Sequence, residues 1–382
     1  MDYPLESKLD NNTTHFITSF IETSYNVKNI KIADDNISID FIDIVSSDEF
    51  KKLMKKLLYI SGSIDRDTLF ENKAGNSYRE NPMKYLEESK NVIKIADGMY
   101  MFQGMFLKVF RSLLKYLENL AAKYNAIDQE YPTLWPIDLF KKINYFKEFP
   151  QQVILTTTVK KSFGSRDKFA NKYDNENDYD SVSIDDHMES CHFGLEPAVC
   201  DTCYYALSNE TNYKNKIYTT YNKVFRNESS KINSLDRLKN FSVRDIMFVG
   251  DKEFVLNTRQ RLIDDLIEFL KYLNLDSKIE TANDPFFSND SAMKNVFQYA
   301  FRLKYELLAK INFSNSYLAI GSINLHLDSF GKPFNIRLPD GSHAFSGCIG
   351  IGFERLAYAL YCQYGHDVSS WPEDLKNKLQ LD

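Results

Sequence analysis

The 382-residue chain has no stretch approaching 18 consecutive apolar residues, the length that a membrane-crossing helix needs. Its first ten residues, MDYPLESKLD, lack the basic-then-apolar order of an export signal, so the expectation is a cytoplasmic protein with no membrane partner. Cysteine is sparse and odd in number, at five. That argues against a disulfide framework and leaves metal or catalytic roles open. Positive charge is also short: 47 Lys and Arg stand against 53 Asp and Glu, for a net charge of −6. Such a balance is poorly suited to holding a polyanion over a wide surface. The first fifty residues carry ten acids against three lysines, so no N-terminal nucleic-acid arm is expected. Internal repeats are absent.

A hydrophobic share of 43% and a charged share of 26% are ordinary for a globular protein, and the length allows one or two domains. Tyrosine and phenylalanine are abundant, at 24 and 28 residues, and Lys is the main base, which fits a coding bias as well as a function. Residues 15–60 read as a small α/β unit, with the strand-like NISIDFIDIV followed by a helix that starts near Ser47. Residues 61–95 are polar and punctuated by glycine, which puts a domain boundary near 90. From Gly98 to Lys123 the apolar residues Met101, Met105, Val109, Leu113, Leu117 and Leu120 predict one long amphipathic helix. Residues 171–187, NKYDNENDYDSVSIDDH, are acidic and read as a loop or disordered insert. Beyond them come strand-like runs (KIYTTYNKVF, LKNFSVRDIMFVG, YLAIGSINLHL, PFNIRL, AFSGCIGIG), broken by helices over 251–275 and 290–303. This pattern favours an α+β fold, an antiparallel sheet flanked by helices.

Three stretches carry chemistry. In KVFRNESSKINSLDRLKNFSVRDIMFVG, residues 223–250, two strand-like runs flank a polar loop over 229–240. Period-two alternation puts Val224, Arg226 and Glu228 on one face, and Phe241, Val243 and Asp245 on one face of the second run. A hairpin that brings these faces together clusters an arginine, two carboxylates and an aromatic ring. Arginine suits a phosphate and a Phe can stack on a flat base, whereas a plain surface hairpin with ion pairs is the alternative. In FSGCIGIGFERLAYALYCQYG, residues 345–365, a glycine-containing strand runs into a helix with Arg355 in its first turn, where the helix dipole favours an anion. In CHFGLEPAVCDTCYYAL, residues 191–207, three cysteines fall within thirteen residues. The Cys200–Cys203 pair has no second CxxC to complete a closed four-ligand zinc site, while an open site remains available.

Together these stretches resemble the class II aminoacyl-tRNA synthetase catalytic domain: VFRNE is similar to the motif 2 arginine strand, the Phe241 run to its return strand, and GIGFER to motif 3. More narrowly, LEPAVC, VFRNESS…RLKNFSVRD and DGSHAFSGCIGIGFERLAYAL…HD…WP resemble the amino acid:[carrier protein] ligases. These are truncated relatives of the atypical, zinc-dependent archaeal seryl-tRNA synthetases. The likeness covers residues 96–382, a class II synthetase-like catalytic domain; residues 1–95 form an N-terminal α/β extension without a counterpart.

What the resemblance implies is an enzyme that activates a small amino acid, glycine or alanine, with ATP. It then passes the acyl group to the phosphopantetheine thiol of a carrier protein, without a tRNA partner. By resemblance the zinc ligands fall on Cys200, Asp245 and Cys348, with Asp standing where the family has Glu. Cys191, Cys203 and Cys362 are then bystanders. Arg226 holds the α-phosphate and the substrate carboxylate, Glu228 meets the adenine amino group and Phe241 stacks on adenine. Arg237 and Arg355 take the outer phosphates. Magnesium accompanies ATP, but the family's Glu-x-x-Ser pattern reads here as Ala319 and Ser322, so its carboxylate is missing unless Glu306 supplies it. A homodimer is expected of class II relatives. Lys108, Arg111 and Lys115, on one helical face, are candidates for docking an acidic carrier, against an ordinary solvated face. Two other readings stand beside this one: a tRNA-charging, seryl-like synthetase, and a catalytically silent paralogue that acts as a binding module.

Overall fold

The computed structural model describes residues 1–9, 13, 14, 17, 18, 20, 21, 25, 27–62, 67–174, 187–228, 234–286 and 291–381. An eight-stranded sheet organises the chain, in the order Thr68–Asn72, Ser277–Thr281, Lys304–Ile311, Ser316–Leu327, Phe345–Gly352, Asn240–Gly250, Lys216–Phe225, Ile127–Asp128. Every neighbouring pair is antiparallel except the last, which is parallel.

Alternation along the central strands decides what each face carries. Ile246, Phe248, Ile349 and Ile351 point to one face and join the main core with the helices Gly104–Lys123, Lys252–Tyr272 and Phe353–Tyr364. Met247, Val249 and Cys348 point to the other face, where a smaller core forms with Trp135, Phe140, Tyr204 and Phe334. That second face is only partly covered, and a wide cavity opens on it.

Of the residues read as an N-terminal extension, Thr68–Asn72 form the edge strand of the large sheet, hydrogen-bonded to Ser277–Thr281. The separate core lies earlier, where Ile37, Ile39, Phe50, Met54 and Leu57 bury between a three-stranded sheet and the Ser47–Gly62 helix. Ser46 and Glu49 cap that helix reciprocally: Ser46 Oγ accepts from Glu49 N (3.2 Å), and Glu49 Oε2 accepts from Ser46 N (3.1 Å).

The helix expected from Gly98 begins only at Gly104, because Val92–Ala96 and Met99–Phe102 pair as a hairpin. Asp97-Gly98 supplies its turn, with Gly98 at φ +72°. The run PFNIRL forms turns and a single bridge, Arg337 to His343, rather than a strand; its Phe334, Ile336 and Leu338 plug the smaller core. Of the acidic 171–187 segment, residues 171–174 end the Ser165–Asp174 helix and 175–186 lie outside the described residues. In the long hairpin loop, 229–233 lie outside them too. No helix among the described residues is long and apolar enough to cross a membrane. Arg111 and Lys115 are exposed on the Gly104–Lys123 helix, Lys115 paired with Glu118 at 3.2 Å.

Candidate active site

Register across the sheet assembles the site. Asp245 lies opposite Gly350, Gly350 opposite Ser322, and Ser322 opposite Glu306, so four strands contribute one lateral row. The next row runs Met247, Cys348, Asn324, Lys304. Paired residues in neighbouring antiparallel strands share a face, so both rows lie on the cavity side, where all but the core residue Met247 line the cavity. Gly350 makes room here: a Cβ at this position would sit 2.5 Å from Asp245 Oδ1 and push that carboxyl aside.

Cys348 meets two partners from separate elements. Cys200, the first residue of the Cys200–Ala206 helix, and His326, near the end of the Ser316–Leu327 strand, bring their ligand atoms and that of Cys348 within 4.8 Å of one another. His326 Nε2 lies 3.7 Å from Cys348 Sγ, and Asn324 Nδ2 donates to the same sulfur at 3.4 Å. Hydrogen bonding from Cys200 holds the Cys348 thiol well below its ordinary pKa, with help from His326, while the proton stays on Cys200, whose own pKa rises. Two thiols and an imidazole at this spacing are a donor set that fits zinc.

Asp245 is buried beside this trio but is not one of the three converging atoms. Burial raises its carboxyl pKa well above the usual range, and the negative charge of Cys348 adds to the effect. Two further acids lie close by. Asp201 is pushed up to about 7, chiefly by burial. Glu196 is pushed up to about 8 by burial, although Trp135 Nε1 (3.1 Å), Thr202 Oγ1 (3.0 Å) and Asn222 Nδ2 (2.8 Å) all donate to it.

The residues read as nucleotide-binding line the same cavity. Val224 pairs with Phe241 across the hairpin, and just beyond the strand the Arg226 guanidinium stacks 5.4 Å from the Phe241 ring centre. Arg226 Nε also donates to the Pro197 carbonyl at 3.0 Å, which ties it to the loop leading to Cys200. Arg237 and Glu228 pair at 3.7 Å. Arg355 donates to the Ala319 carbonyl at 3.3 Å; burial lowers its pKa, and Glu228 opposes that shift. Glu306 forms an ion pair with Lys304 at 3.3 Å. Cys203 is buried and pushed up to about 12, Cys362 is buried, and Cys191 is half-buried on the Met188–Leu195 strand.

Two functional-looking residues escaped the sequence reading. His326 ends a polar alternation, Ser322, Asn324, His326, against apolar Ile323 and Leu325, and that period-two signal was available. Glu354, the neighbour of Arg355, is buried and accepts from Ser242 N through both oxygens (3.0 and 2.8 Å), from Ser242 Oγ (2.8 Å) and from Lys223 Nζ (3.3 Å). It locks the Phe353–Tyr364 helix to the Phe241 strand.

No protein-family profile matches the chain. Among curated proteins, it is 26% identical over 291 residues to an amino acid–[acyl-carrier-protein] ligase of Bradyrhizobium diazoefficiens, covering 75% of this chain and 86% of that protein. A type-2 serine–tRNA ligase of Methanopyrus kandleri is 21% identical over 297 residues, with 74% of this chain matched to only 56% of the relative. Among solved structures, M. kandleri SerRS in complex with A. aeolicus tRNASec superposes with a TM-score of 0.71 at 15% identity. That superposition covers 99% of this chain and 77% of that one, and it shows the α+β fold to be the class II synthetase-like one. The chain thus has the class II synthetase-like fold and is similar to the amino acid–[acyl-carrier-protein] ligases and to the type-2 serine–tRNA ligases.

Proposed function

We propose that the protein activates a small amino acid, glycine or alanine, with ATP and loads it onto the phosphopantetheine thiol of a carrier protein. The observation that carries this reading is the meeting of Cys200 and Cys348 on the wall of a cavity that also holds Arg226, Phe241 and Arg355. A carboxylate oxygen of the amino acid attacks the α-phosphorus of ATP. The bond to the pyrophosphate oxygen breaks, leaving the aminoacyl-adenylate. The carrier thiolate then attacks the acyl carbon and AMP departs.

Residues of this chain neutralise and position rather than react. Arg226, braced on Phe241, takes the α-phosphate and the substrate carboxylate; Phe241 offers a stacking face to adenine and Glu228 an acceptor for its amino group. Arg237 and Arg355 take the outer phosphates, and Ser322 with Glu306 opposite it are the groups to hold the accompanying Mg2+. Cys200 and Cys348 are the thiol ligands for zinc, which when bound supplies a Lewis-acid position for the neutral α-amine and so discriminates against hydroxy acids and fatty acids. The cytoplasmic setting is carried by the sequence reading alone, and the homodimer by the resemblance alone.

The test is ATP–pyrophosphate exchange with single amino acids, followed by intact-mass analysis of a carrier protein. Exchange with glycine or alanine and a matching mass gain support the reading; no exchange with any amino acid ends it and favours the silent-paralogue reading. One observation favours tRNA charging instead: the likeness to SerRS extends over 99% of this chain, residues 1–95 included. Aminoacylation of bulk tRNA would establish it.

A further inference from the structure

We propose that His326, not Asp245, is the third protein ligand of the metal centre, and that Asp245 instead accepts a hydrogen bond from the amino group of the substrate. The inference rests on the reading above and differs from what the family resemblance implies, which puts Asp245 in the ligand set.

Geometry separates the two residues. In a tetrahedral site with bonds of about 2.0–2.3 Å, neighbouring ligand atoms lie roughly 3.5–3.8 Å apart. His326 Nε2 already stands 3.7 Å from Cys348 Sγ, and all three atoms of the Cys200–His326–Cys348 group lie within 4.8 Å. The other ring nitrogen is engaged from behind: His326 Nδ1 lies 3.1 Å from Tyr204 Oη and 3.4 Å from Ser346 Oγ. Tyr204 and Phe330 pack nearly perpendicular to the imidazole, at 84° and 80°, so its plane is fixed. A ligating histidine needs this kind of support from its second nitrogen.

Asp245 sits differently. The residue facing Cys348 from its strand is Met247, so Asp245 stands one pleat further along, over Gly350. Aspartate is one methylene shorter than glutamate and does not make up that offset. No hydrogen bond to its carboxylate occurs among the described residues, although it is buried and lines the cavity. A carboxyl on the cavity wall that no protein group engages leaves an oxygen open to a donor from a ligand. A primary amine held at the adjacent metal still has N–H groups to give. His326 therefore takes the place that the resemblance assigns to Asp245, and the site remains an open three-ligand one, ready for an α-amino acid.

The experiment compares His326→Ala and Asp245→Asn in the full-length protein. Metal per chain is measured by mass spectrometry of the purified protein, and the visible spectrum after cobalt substitution. Expected results are loss of at least five-fold of the bound metal in His326→Ala. In Asp245→Asn the metal content and cobalt bands should match the wild type, with KM for the amino acid raised at least ten-fold and KM for ATP unchanged. His326→Cys, which restores a ligand atom, should regain metal and intensify the sulfur-to-cobalt absorption; it carries the assignment if the alanine variant fails to fold. Loss of metal in Asp245→Asn, or full metal in His326→Ala, overturns the proposal. So does a wild-type protein that binds neither zinc nor cobalt. A wild type that shows this metal pattern yet exchanges no pyrophosphate refutes the ligase reading and leaves the ligand assignment standing.

Discussion

Glu354→Gln isolates the contact that holds the Phe353–Tyr364 helix against the Phe241 strand. The carboxylate is buried and receives Ser242 N through both oxygens, at 3.0 and 2.8 Å, with Ser242 Oγ at 2.8 Å and Lys223 Nζ at 3.3 Å. Glutamine keeps the shape but turns one oxygen into an NH2 group, which then faces the Ser242 N–H. The Lys223 partner is half-exposed, so its share is small. The main loss is one hydrogen bond to a charged acceptor plus an opposed pair of donors, about 3 kcal/mol together. With about 2.1 cal/mol/K per residue, unfolding of a chain this long carries an entropy of about 0.8 kcal/mol/K, so Tm falls by about 4 °C. Differential scanning calorimetry at pH 7 reads this directly. Because Phe241 and Val243 flank Ser242 and face the cavity, KM for ATP should rise a few-fold as well. A Tm within 1 °C of the wild type would refute the reasoning, since the buried acceptor would then be replaceable at no cost.

Three further outcomes are expected. Arg355→Ala should keep its metal yet lose pyrophosphate exchange by about 100-fold, the usual size for a removed charge-stabilising donor; exchange within three-fold of wild type would remove Arg355 from the phosphate site. Gly350→Ala puts a methyl group 2.5 Å from Asp245 Oδ1, and should raise KM for the amino acid at least ten-fold while lowering stability by about 1–3 kcal/mol in urea titration. An unchanged KM would mean that the carboxylate is remote from the substrate. For Glu196, whose carboxyl is raised from 4.5 to about 8, folding favours the protonated form, so its stabilisation is full below about pH 4.5 and is lost as pH rises towards 8. Glu196→Gln, neutral throughout, should flatten the fall in urea midpoint between pH 5 and 8, and an unchanged slope would contradict this.

How far the sequence alone reaches depends on whether a feature is local or lateral. Alternation placed Phe241, Val243 and Asp245 on one face and Val224 and Arg226 opposite, and the hairpin register bears this out, with Val224 paired to Phe241. The strand-to-helix turn at GIGFER was equally readable, since Gly352 caps a helix whose Phe353, Leu356, Ala357 and Leu360 are buried. The Asp97-Gly98 turn was visible as well, but the helical spacing of Met101 and Met105 overrode it. What no spacing discloses is which residue of one strand lies beside which of another. Asp245 and Cys348 belong to adjacent strands, yet the pairing that sets Met247 against Cys348 slides Asp245 over to Gly350. The same pairing, read from the other neighbour, sets Asn324 beside Cys348 and so carries His326 past it, within reach of the sulfur.

Register also explains why a sheet built from ordinary apolar runs can hold this chemistry. The face bearing Ile246, Phe248, Ile349 and Ile351 is sealed by three helices, and that burial fixes the pairing against slippage, because a shift of one residue would turn those side chains out of the core. With one face pinned in this way, the opposite face has its residues placed without needing a core of its own over the cavity. Gly350 clears room there, Cys348 and Asp245 are held one pleat apart, and Ser322 and Glu306 continue the row. Cys200 and His326 come from segment ends, and these are the two that close on Cys348. Precision at the metal centre thus originates in the apolar face behind it. A core change such as Ile349→Ala should therefore loosen metal binding as well as stability, although it touches no ligand.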